Sequence, residues 1–417
     1  MLKYLTEKSP SEIDVLIIGG GLVGGCLAAA LADTPLRVGV VDHAVPKIAP
    51  SNAFDGRAFA VSLSNKKLLQ AVGLWGTLNE TSAPIRDIRV SDGSSMFFLH
   101  FDHKVVGEEP MGFMVENIYL RQAIYALLEK KKNIRKFSPN FVRHLQRDRS
   151  GAVVRLSDGQ EIRAQLVVGA DGRESQIRKE CGIGLTSWNY NQTAIVCTVQ
   201  HGRGHSYIAQ ERFLPSGPFA ILPLHGEPKE AANRSSIVWT ERNEIAPSLR
   251  VLSEKDFLAE LAVRFQTFLG ELKVVSPVYF YPLKLQFARC VIDRRTVLIG
   301  DASHSMHPIA GQGLNMGLRD VAALAEVLVD AYRLGMDIGD TAVLQRYNKW
   351  RRFENTMMIA TTDVLNRLFS NNIGPLRVAR DAGLAIVNSI SPLKRHIIRH
   401  AMGLTGNVPK LLEGKPL

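Results

Sequence analysis

The sequence predicts a mixed α/β protein. It has separated strand–turn–helix units, a β-rich layer between them and a helical C-terminal region. Three observations predict this. Residues 12–45, 166–183 and 297–320 each open on a short apolar run and pass through a Gly-rich turn into a helix, with an Asp close to a strand end. Residues 190–285 hold several β-like runs. The last hundred residues are mostly helical in pattern.

The first unit is EIDVLIIGGGLVGGCLAAALADTPLRVGVVDHA. Val15 to Ile18 reads as a buried strand, CLAAALA as a helix and Val38 to Val41 as a second strand. Between them Gly19, Gly21 and Gly24 form G-x-G-x-x-G, the Rossmann-type turn. Gly19 allows the tight turn, Gly21 lets backbone approach a pyrophosphate, and Gly24 lets helix pack on strand. Asp42 ends the second strand, where an acid meets a ribose hydroxyl. Residues 13–32 are apolar, but five glycines and Asp14 argue against a membrane span. Glu7, Glu12 and Asp14 argue against a secretory signal.

The second unit is LVVGADGRESQIRKECGI. Leu166 to Val168 reads as a strand, Gly169-Ala170-Asp171-Gly172 as a turn, and Ser175 and Arg178 as part of a helix. A plain β-turn at Asp-Gly is the simpler account; the spacing D-G-x-x-S-x-I-R favours a binding site. The third unit is VLIGDASHSMHPIAGQGLNMGLRD, residues 297–320. An apolar strand delivers Asp301 beside the start of a helix. An acid accepts hydrogen bonds from hydroxyls, and helix amides face negative charge.

Between these units, Asn65 to Leu74, Ile118 to Lys131 and residues 256–270 read as helices. Residues 85–92 and 95–101 read as a hairpin around Gly93, and residues 46–62 as a loop. No internal repeat or low-complexity segment is visible.

Composition bounds the partners. A chain of 417 residues supports two or three domains. Its 51 Lys and Arg against 40 Asp and Glu give a net charge of +11. That charge attracts membrane surfaces, nucleic acid or phosphorylated cofactors. No basic tract has interleaved aromatics, so nucleic acid is the poorest of the three. Cys26, Cys181, Cys197 and Cys290 show no C-x-x-C spacing and read as reduced thiols of a cytosolic protein. His304 and His307 share a Gly/Pro-rich turn without companion ligands, so no metal site is expected.

In this order, the three motifs resemble the flavoprotein aromatic hydroxylases, the class of para-hydroxybenzoate hydroxylase, over nearly the whole chain. GDASHSMHPIAGQGLNMGLRD is similar to the signature of a narrower group, the ubiquinone-biosynthesis hydroxylases that act on polyprenylated phenols. FDGRAFAVS (54–62), LPSGPFAILPL (214–224) and a terminal pattern extend the match. That pattern runs through Arg380, Gly383, Leu384, Pro392 to Lys394 and Ala401 to Gly403.

The resemblance implies a Rossmann-type FAD domain from residues 12–84, 112–189 and 286–345. It implies an inserted β-sheet substrate domain from 85–111 and 190–285, and a helical region over 346–417. By the same resemblance Gly19, Gly21 and Gly24 hold the FAD pyrophosphate and Asp42 the adenosine ribose. Arg57 lies against the phosphates and Arg121 beside the flavin. Glu116 lies near where relatives carry a flavin-contacting Gln. Asp171 and Gly172 belong to a motif linked to both FAD and NAD(P)H. Asp301 holds the ribitol or ribose side. Pro308 and the backbone of Gly311, Gly313, Leu314 and Asn315 face the isoalloxazine.

The implied partners are a polyprenylated phenol, dioxygen and NAD(P)H or another electron donor. A membrane surface at the inner face and other ubiquinone-biosynthesis proteins complete the set. Without a second G-x-G-x-x-G, a separate nicotinamide-binding domain is not expected. Reduced flavin, anionic at N1, gives a C4a-hydroperoxide with dioxygen, and its distal oxygen attacks an electron-rich phenol while the site excludes water. No catalytic base is compulsory, and none is assigned. The C-terminal segment also reads as an amphipathic helix, with Leu393, Ile397, Ala401 and Met402 opposite Arg395, His396 and Arg399; either a membrane contact or a packed helix fits. Two other functions fit the residues: a flavin hydroxylase of a different aromatic, and a non-catalytic scaffold of the same fold.

Overall fold

The computed structural model describes residues 11–45, 56–93, 98–226, 232–371 and 373–417. Phe54 and Asp55, and residues 95–97 of the expected hairpin, lie outside the described residues.

Five strands run parallel in the order Thr296–Leu298, Glu161–Gly169, Ser11–Ile18, Val38–Val41 and Ile134–Phe137. The strands that begin the three expected units thus lie side by side. Ile18 pairs with Gly169 on one side and Val41 on the other. Val38–Val41 and Thr296–Leu298 are buried at every position, as unbroken apolar runs must be when both sheet faces are covered. Val142–Arg147, Ala152–Leu156 and Ile292–Asp293 add antiparallel pairings.

Helix Leu22–Leu31 packs against helix Gln312–Arg333. The approach needs small residues. A Cβ on Gly317 would sit 2.7 Å from Val23 Cγ2 and 3.5 Å from the Cα of Gly300. Burial of the large side chains in this cluster contributes about 1.5–3 kcal/mol each.

The second sheet centres on the long strand Leu185–His201, flanked by Tyr279–Ala288 and Arg234–Arg242. Gly217–Leu224, Ile208–Leu214, Asp87–Asp92 and Phe98–Asp102 extend it in that order. Alternation splits its faces. Ile195, Cys197, Ile237 and Trp239 pack under helix Glu254–Phe265, while Ala194, Val196 and Leu283 form a separate cluster with Val238 and Tyr281.

Several elements differ from expectation. Ala58–Ser62, within the segment read as a loop, is a strand paired with Gly112–Glu116, which also pairs with Ala83–Ile85. Its first three residues are half-buried and two are Ala, so periodicity alone could not reveal it. The helix expected over 65–74 runs Leu63–Ala71, and Gly73 at φ +80° turns the chain away. The helix expected over 256–270 runs Glu254–Phe265, started by Ser253, whose hydroxyl accepts from the amide of Asp256.

Three helices close the chain: Thr341–Phe369, Gly374–Ser389 and Ser391–Ala401. Arg380 Nε lies 2.8 Å from Asp92 Oδ2, with both side chains buried. Removing one partner of such a pair costs about 3–5 kcal/mol. The last helix turns Ile398 and Met402 onto Leu63 and Met111. Met402 is buried, as on the expected apolar side, but Leu393 is left 39% exposed and Ile398 is buried in place of Ile397. Among the described residues, no helix is long and apolar enough to cross a membrane.

Candidate active site

The carboxyl ends of the parallel strands meet the turns that carry the motifs. Gly19 takes φ +104°, a region open to glycine. A Cβ on Gly24 would collide with the carbonyl oxygen of Gly19. Gly21 is different: a Cβ there meets no atom of the described residues within 4 Å. The fold therefore demands glycine at 19 and 24, whereas the space at 21 is left for something else. Helix Leu22–Leu31 starts at Gly21 with no side-chain cap, so its first amides remain available to an anion.

A cleft of 380 Å³ opens there, lined among others by Gly19, Gly21, Asp42, Ala170, Asp171 and Gly172. Asp42 accepts from the amide of Gly20 at 2.7 Å and from that of Ala44 at 2.8 Å, which fixes its carboxylate at the strand end. The residues fit an adenine dinucleotide, with open space at the glycine turn, a free helix N-terminus and an anchored acid.

Asp171 has a second task. It accepts from the Ser175 hydroxyl and from the amides of Gln176 at 2.7 Å and Ile177 at 3.1 Å. Ser175 was expected on the helix. It stands just before Gln176–Glu180 and accepts from the amide of Arg178 at 3.0 Å, because a serine favours the cap over the helix interior. Buried Arg178 then reaches the carbonyls of Ala302 at 2.8 Å and Arg173 at 2.9 Å. This ties the second motif to the third.

In the third unit the strand ends at Leu298, and Asp301 lies exposed in the turn that follows. Pro308 is half-buried. Gly311, at φ +62°, precedes helix Gln312–Arg333, and no side chain caps it. A Cβ on Gly313 meets no atom of the described residues within 4 Å. Leu314 points into the core. The Asn315 side chain is fully used: it donates to the carbonyls of Ala60 and Gly311 and accepts from the Ser62 amide and Asn65. It staples the helix start to strand Ala58–Ser62.

Arg57 is exposed, and its carbonyl accepts from the Asn117 amide at 2.9 Å. Arg121 is exposed and donates to Tyr125 of its own helix at 3.0 Å. Glu116 is buried and faces Arg234 of the second sheet, Oε1 to Nη1 3.4 Å. Burial pushes its pKa above the ordinary carboxylate value, and Arg234 opposes that.

No motif signals the charged network beneath this turn. Fully buried Asp320 accepts from the Gly300 amide at 3.1 Å and lies 2.7 Å from His304 Nε2 and 2.8 Å from Arg351 Nε. Burial alone would raise its pKa, but His304 and Arg351 outweigh burial and hold the carboxyl below its usual range. The available signal was an Asp set among Leu318, Val321 and Leu324 on the buried stripe of a helix. His307 is fully buried, and neither ring nitrogen has a partner among the described residues; burial pushes its pKa down to about 3. Tyr190 meets that ring edge-on at 5.3 Å and donates to Asp363 at 3.0 Å.

Residues 12–360 match the FAD binding domain family. The chain is 49% identical to the ubiquinone hydroxylase UbiL of Rhodospirillum rubrum, covering 99% of this chain and 95% of that protein. It is 34% identical to the 3-demethoxyubiquinol 3-hydroxylase of Escherichia coli, covering 95% and 100%. It is also 32% identical to the human mitochondrial ubiquinone biosynthesis monooxygenase COQ6, covering 96% and 94%. The p-nitrophenol 4-monooxygenase PnpA of Pseudomonas putida shares the fold at a TM-score of 0.77 and 21% identity, covering 95% of this chain and 99% of that one. The chain belongs to the FAD-binding-domain family, among the ubiquinone-biosynthesis hydroxylases of the para-hydroxybenzoate hydroxylase-like fold.

Proposed function

We propose that the protein is an FAD-dependent monooxygenase that hydroxylates the ring of a polyprenylated phenol in ubiquinone biosynthesis. One observation carries this: the strands of three distant motifs lie side by side around an open glycine turn, in a chain whose full-length relatives are ubiquinone hydroxylases. The bound flavin would activate dioxygen, with NAD(P)H as the proposed electron donor.

The residues divide the work. Gly19, Gly21 and Gly24 cradle the pyrophosphate, and Asp42 takes the adenosine ribose. Arg57 meets the phosphates, and Arg121 stands at the flavin side. Asp171 and Gly172 shape the turn shared by FAD and its reductant, and Asp301 accepts from the ribityl hydroxyls. Pro308 and the backbone of Gly311, Gly313, Leu314 and Asn315 face the ring system, where a helix N-terminus favours negative charge. In this reading residues 12–84, 112–189 and 286–345 form the cofactor domain, 85–111 and 190–285 the substrate domain, and 346–417 the C-terminal cover.

A lipid-borne substrate calls for contact with the inner face of a membrane. Exposed Ile386, Ile390 and Leu393 beside exposed Arg395 and Arg399 support such a contact. The deciding experiment is incubation of purified holoenzyme with a prenylated phenol, NAD(P)H and ¹⁸O₂. The expected product carries one ¹⁸O on the ring. Reductant oxidation without label in the ring would reject the assignment.

A further inference from the structure

An ion pair joins the strand Gly112–Glu116 to the second sheet. Glu116 ends that strand, and Arg234 opens strand Arg234–Arg242. Arg234 donates to both carboxylate oxygens of Glu116, from Nη1 at 3.4 Å and from Nη2 at 3.5 Å. The Glu116 side chain is 5% exposed and that of Arg234 27%, so water reaches the guanidinium far more than the carboxylate.

Glu116 forgoes a nearer partner to make this contact. It immediately precedes helix Asn117–Glu129, whose first amides favour negative charge. Its side chain nevertheless makes no cap bond there. The carboxylate turns instead to a guanidinium 118 residues away in sequence.

Both ends of the pair are anchored. On one side Glu116 pairs with Ala58, and the Asn117 amide donates to the carbonyl of Arg57 at 2.9 Å. Two residues along from Ala58, the carbonyl of Ala60 accepts from Asn315 at 2.7 Å, and a Cβ on Gly311 would lie 3.0 Å from that of Ala60. The strand beside Glu116 is therefore fastened to the turn of the third motif. On the other side Arg234 pairs with Leu224 and donates from Nη1 to the carbonyl of His225 at 3.0 Å. Met114 and Leu224 share an apolar cluster with Ala58, Ala60 and Leu222. The charged pair adjoins that seam, since Glu116 lies two residues beyond Met114 and Arg234 lies opposite Leu224.

Apolar surfaces tolerate small slips past one another, because their attraction is non-directional. A buried ion pair does not. It adds little net stability, and its best-attested use is to fix register. We propose that Arg234 is a positioning residue that, through Glu116, locks the second sheet onto the strand beside the third motif and so keeps water from the flavin end of the site. The inference rests on the proposed FAD-dependent hydroxylation. Where water reaches such a site, the electrons of the reductant end in hydrogen peroxide rather than in a hydroxylated ring.

The test compares wild-type holoenzyme with Arg234→Met, Arg234→Lys and Glu116→Gln. Two readouts separate closure from folding: acrylamide quenching of the bound flavin's fluorescence, and the hydrogen peroxide formed per NAD(P)H oxidised. The urea midpoint, measured beside them, reports stability. Arg234→Met should raise both readouts about threefold or more. Glu116→Gln should raise them less, because an amide oxygen still accepts from Arg234. Arg234→Lys keeps the charge without the fork and should fall between wild type and Arg234→Met. Wild-type quenching and peroxide yield in folded, flavin-loaded Arg234→Met overturn the proposal. Should that variant fail to fold or to load flavin, wild-type values in both Arg234→Lys and Glu116→Gln overturn it equally. A lowered urea midpoint with both readouts unchanged also overturns it and leaves the pair a purely structural one. If quenching rises in the variants while the wild type hydroxylates no prenylated phenol, the lock stands and the proposed reaction falls.

Discussion

Arg178 donates from Nη1 to the carbonyl of Ala302 at 2.8 Å, across 124 residues of sequence. One buried guanidinium thus joins the Asp171 turn to the Asp301 turn. Arg178→Ala leaves the carbonyl of Ala302 without this donor, while that of Arg173 keeps the Gln286 side-chain amide at 2.7 Å. An unsatisfied buried group costs about 1–3 kcal/mol. The expected result is a loss of about 1–3 kcal/mol in urea denaturation, with weaker FAD binding because the Asp301 turn loses its brace. Arg178→Ala with wild-type stability would show that the bond carries no weight.

The glycines of the first turn should separate by phenotype. Gly24→Val sets a side chain against the Gly19 carbonyl and should prevent folding. Gly21→Val meets no atom of the described residues near its Cβ, so it should fold with a normal circular dichroism spectrum and yet purify without flavin. Normal FAD content in folded Gly21→Val removes the pyrophosphate from this turn.

Asp301 is exposed, so Asp301→Ala should change the stability of the apoprotein by less than about 0.5 kcal/mol. A hydrogen bond from a ligand hydroxyl to a charged carboxylate contributes about 1.5–3 kcal/mol. FAD affinity should therefore drop by roughly one to two orders of magnitude. Isothermal titration of apoprotein with FAD reads this directly, and equal affinities place Asp301 outside the site.

Acid should destabilise the fold through two histidines. Burial pushes the pKa of His307 down to about 3 and that of His205 down to about 4. Unfolded, each titrates near 6.5. Below that value the unfolded chain takes up protons that the folded chain refuses. Their stabilising contribution is full above about pH 6.5 and shrinks as pH falls towards the folded values, by about 1.4 kcal/mol per pH unit for each His. Denaturant titrations between about pH 6 and 5 should show this slope, and His307→Phe should make it shallower, with His201 and His400, whose pKa values desolvation also lowers, adding to the remainder. An identical slope in His307→Phe means that His307 is already protonated in the fold.

Membrane contact through the last helices should be electrostatic. Lys394, Arg395 and Arg399 each contribute about 1 kcal/mol near an anionic surface. Binding to anionic vesicles should fall as salt rises and fall further when all three become Glu. Undiminished binding by the triple variant moves the contact to another face.

The parallel core was legible because its signals are local. Val15–Ile18 and Val38–Val41 are buried on both faces and so appear as unbroken apolar runs. The Gly-rich turns advertise their spacing in the same way. The strand Ala58–Ser62 was not legible, since its pairing with Gly112–Glu116 is set by partners fifty residues away. The Asp320 network was hidden for a similar reason. Arg351 meets it from the next helix, and no pattern around Asp320 names that partner. At the C-terminus, helical periodicity gave the amphipathic character, while the choice of Ile398 as anchor depends on Leu63 and Met111.

The strand order has a consequence for biosynthesis. Glu161–Gly169 pairs with Ser11–Ile18 on one side and with Thr296–Leu298 on the other. Synthesis proceeds at about 5–20 residues per second, so residues 167–169 emerge roughly 6–25 seconds before strand Thr296–Leu298. During that interval they offer a bare strand edge, and a bare edge invites association with other chains. A chain cut short before residue 296 keeps that edge unpaired, so such a fragment is expected to aggregate.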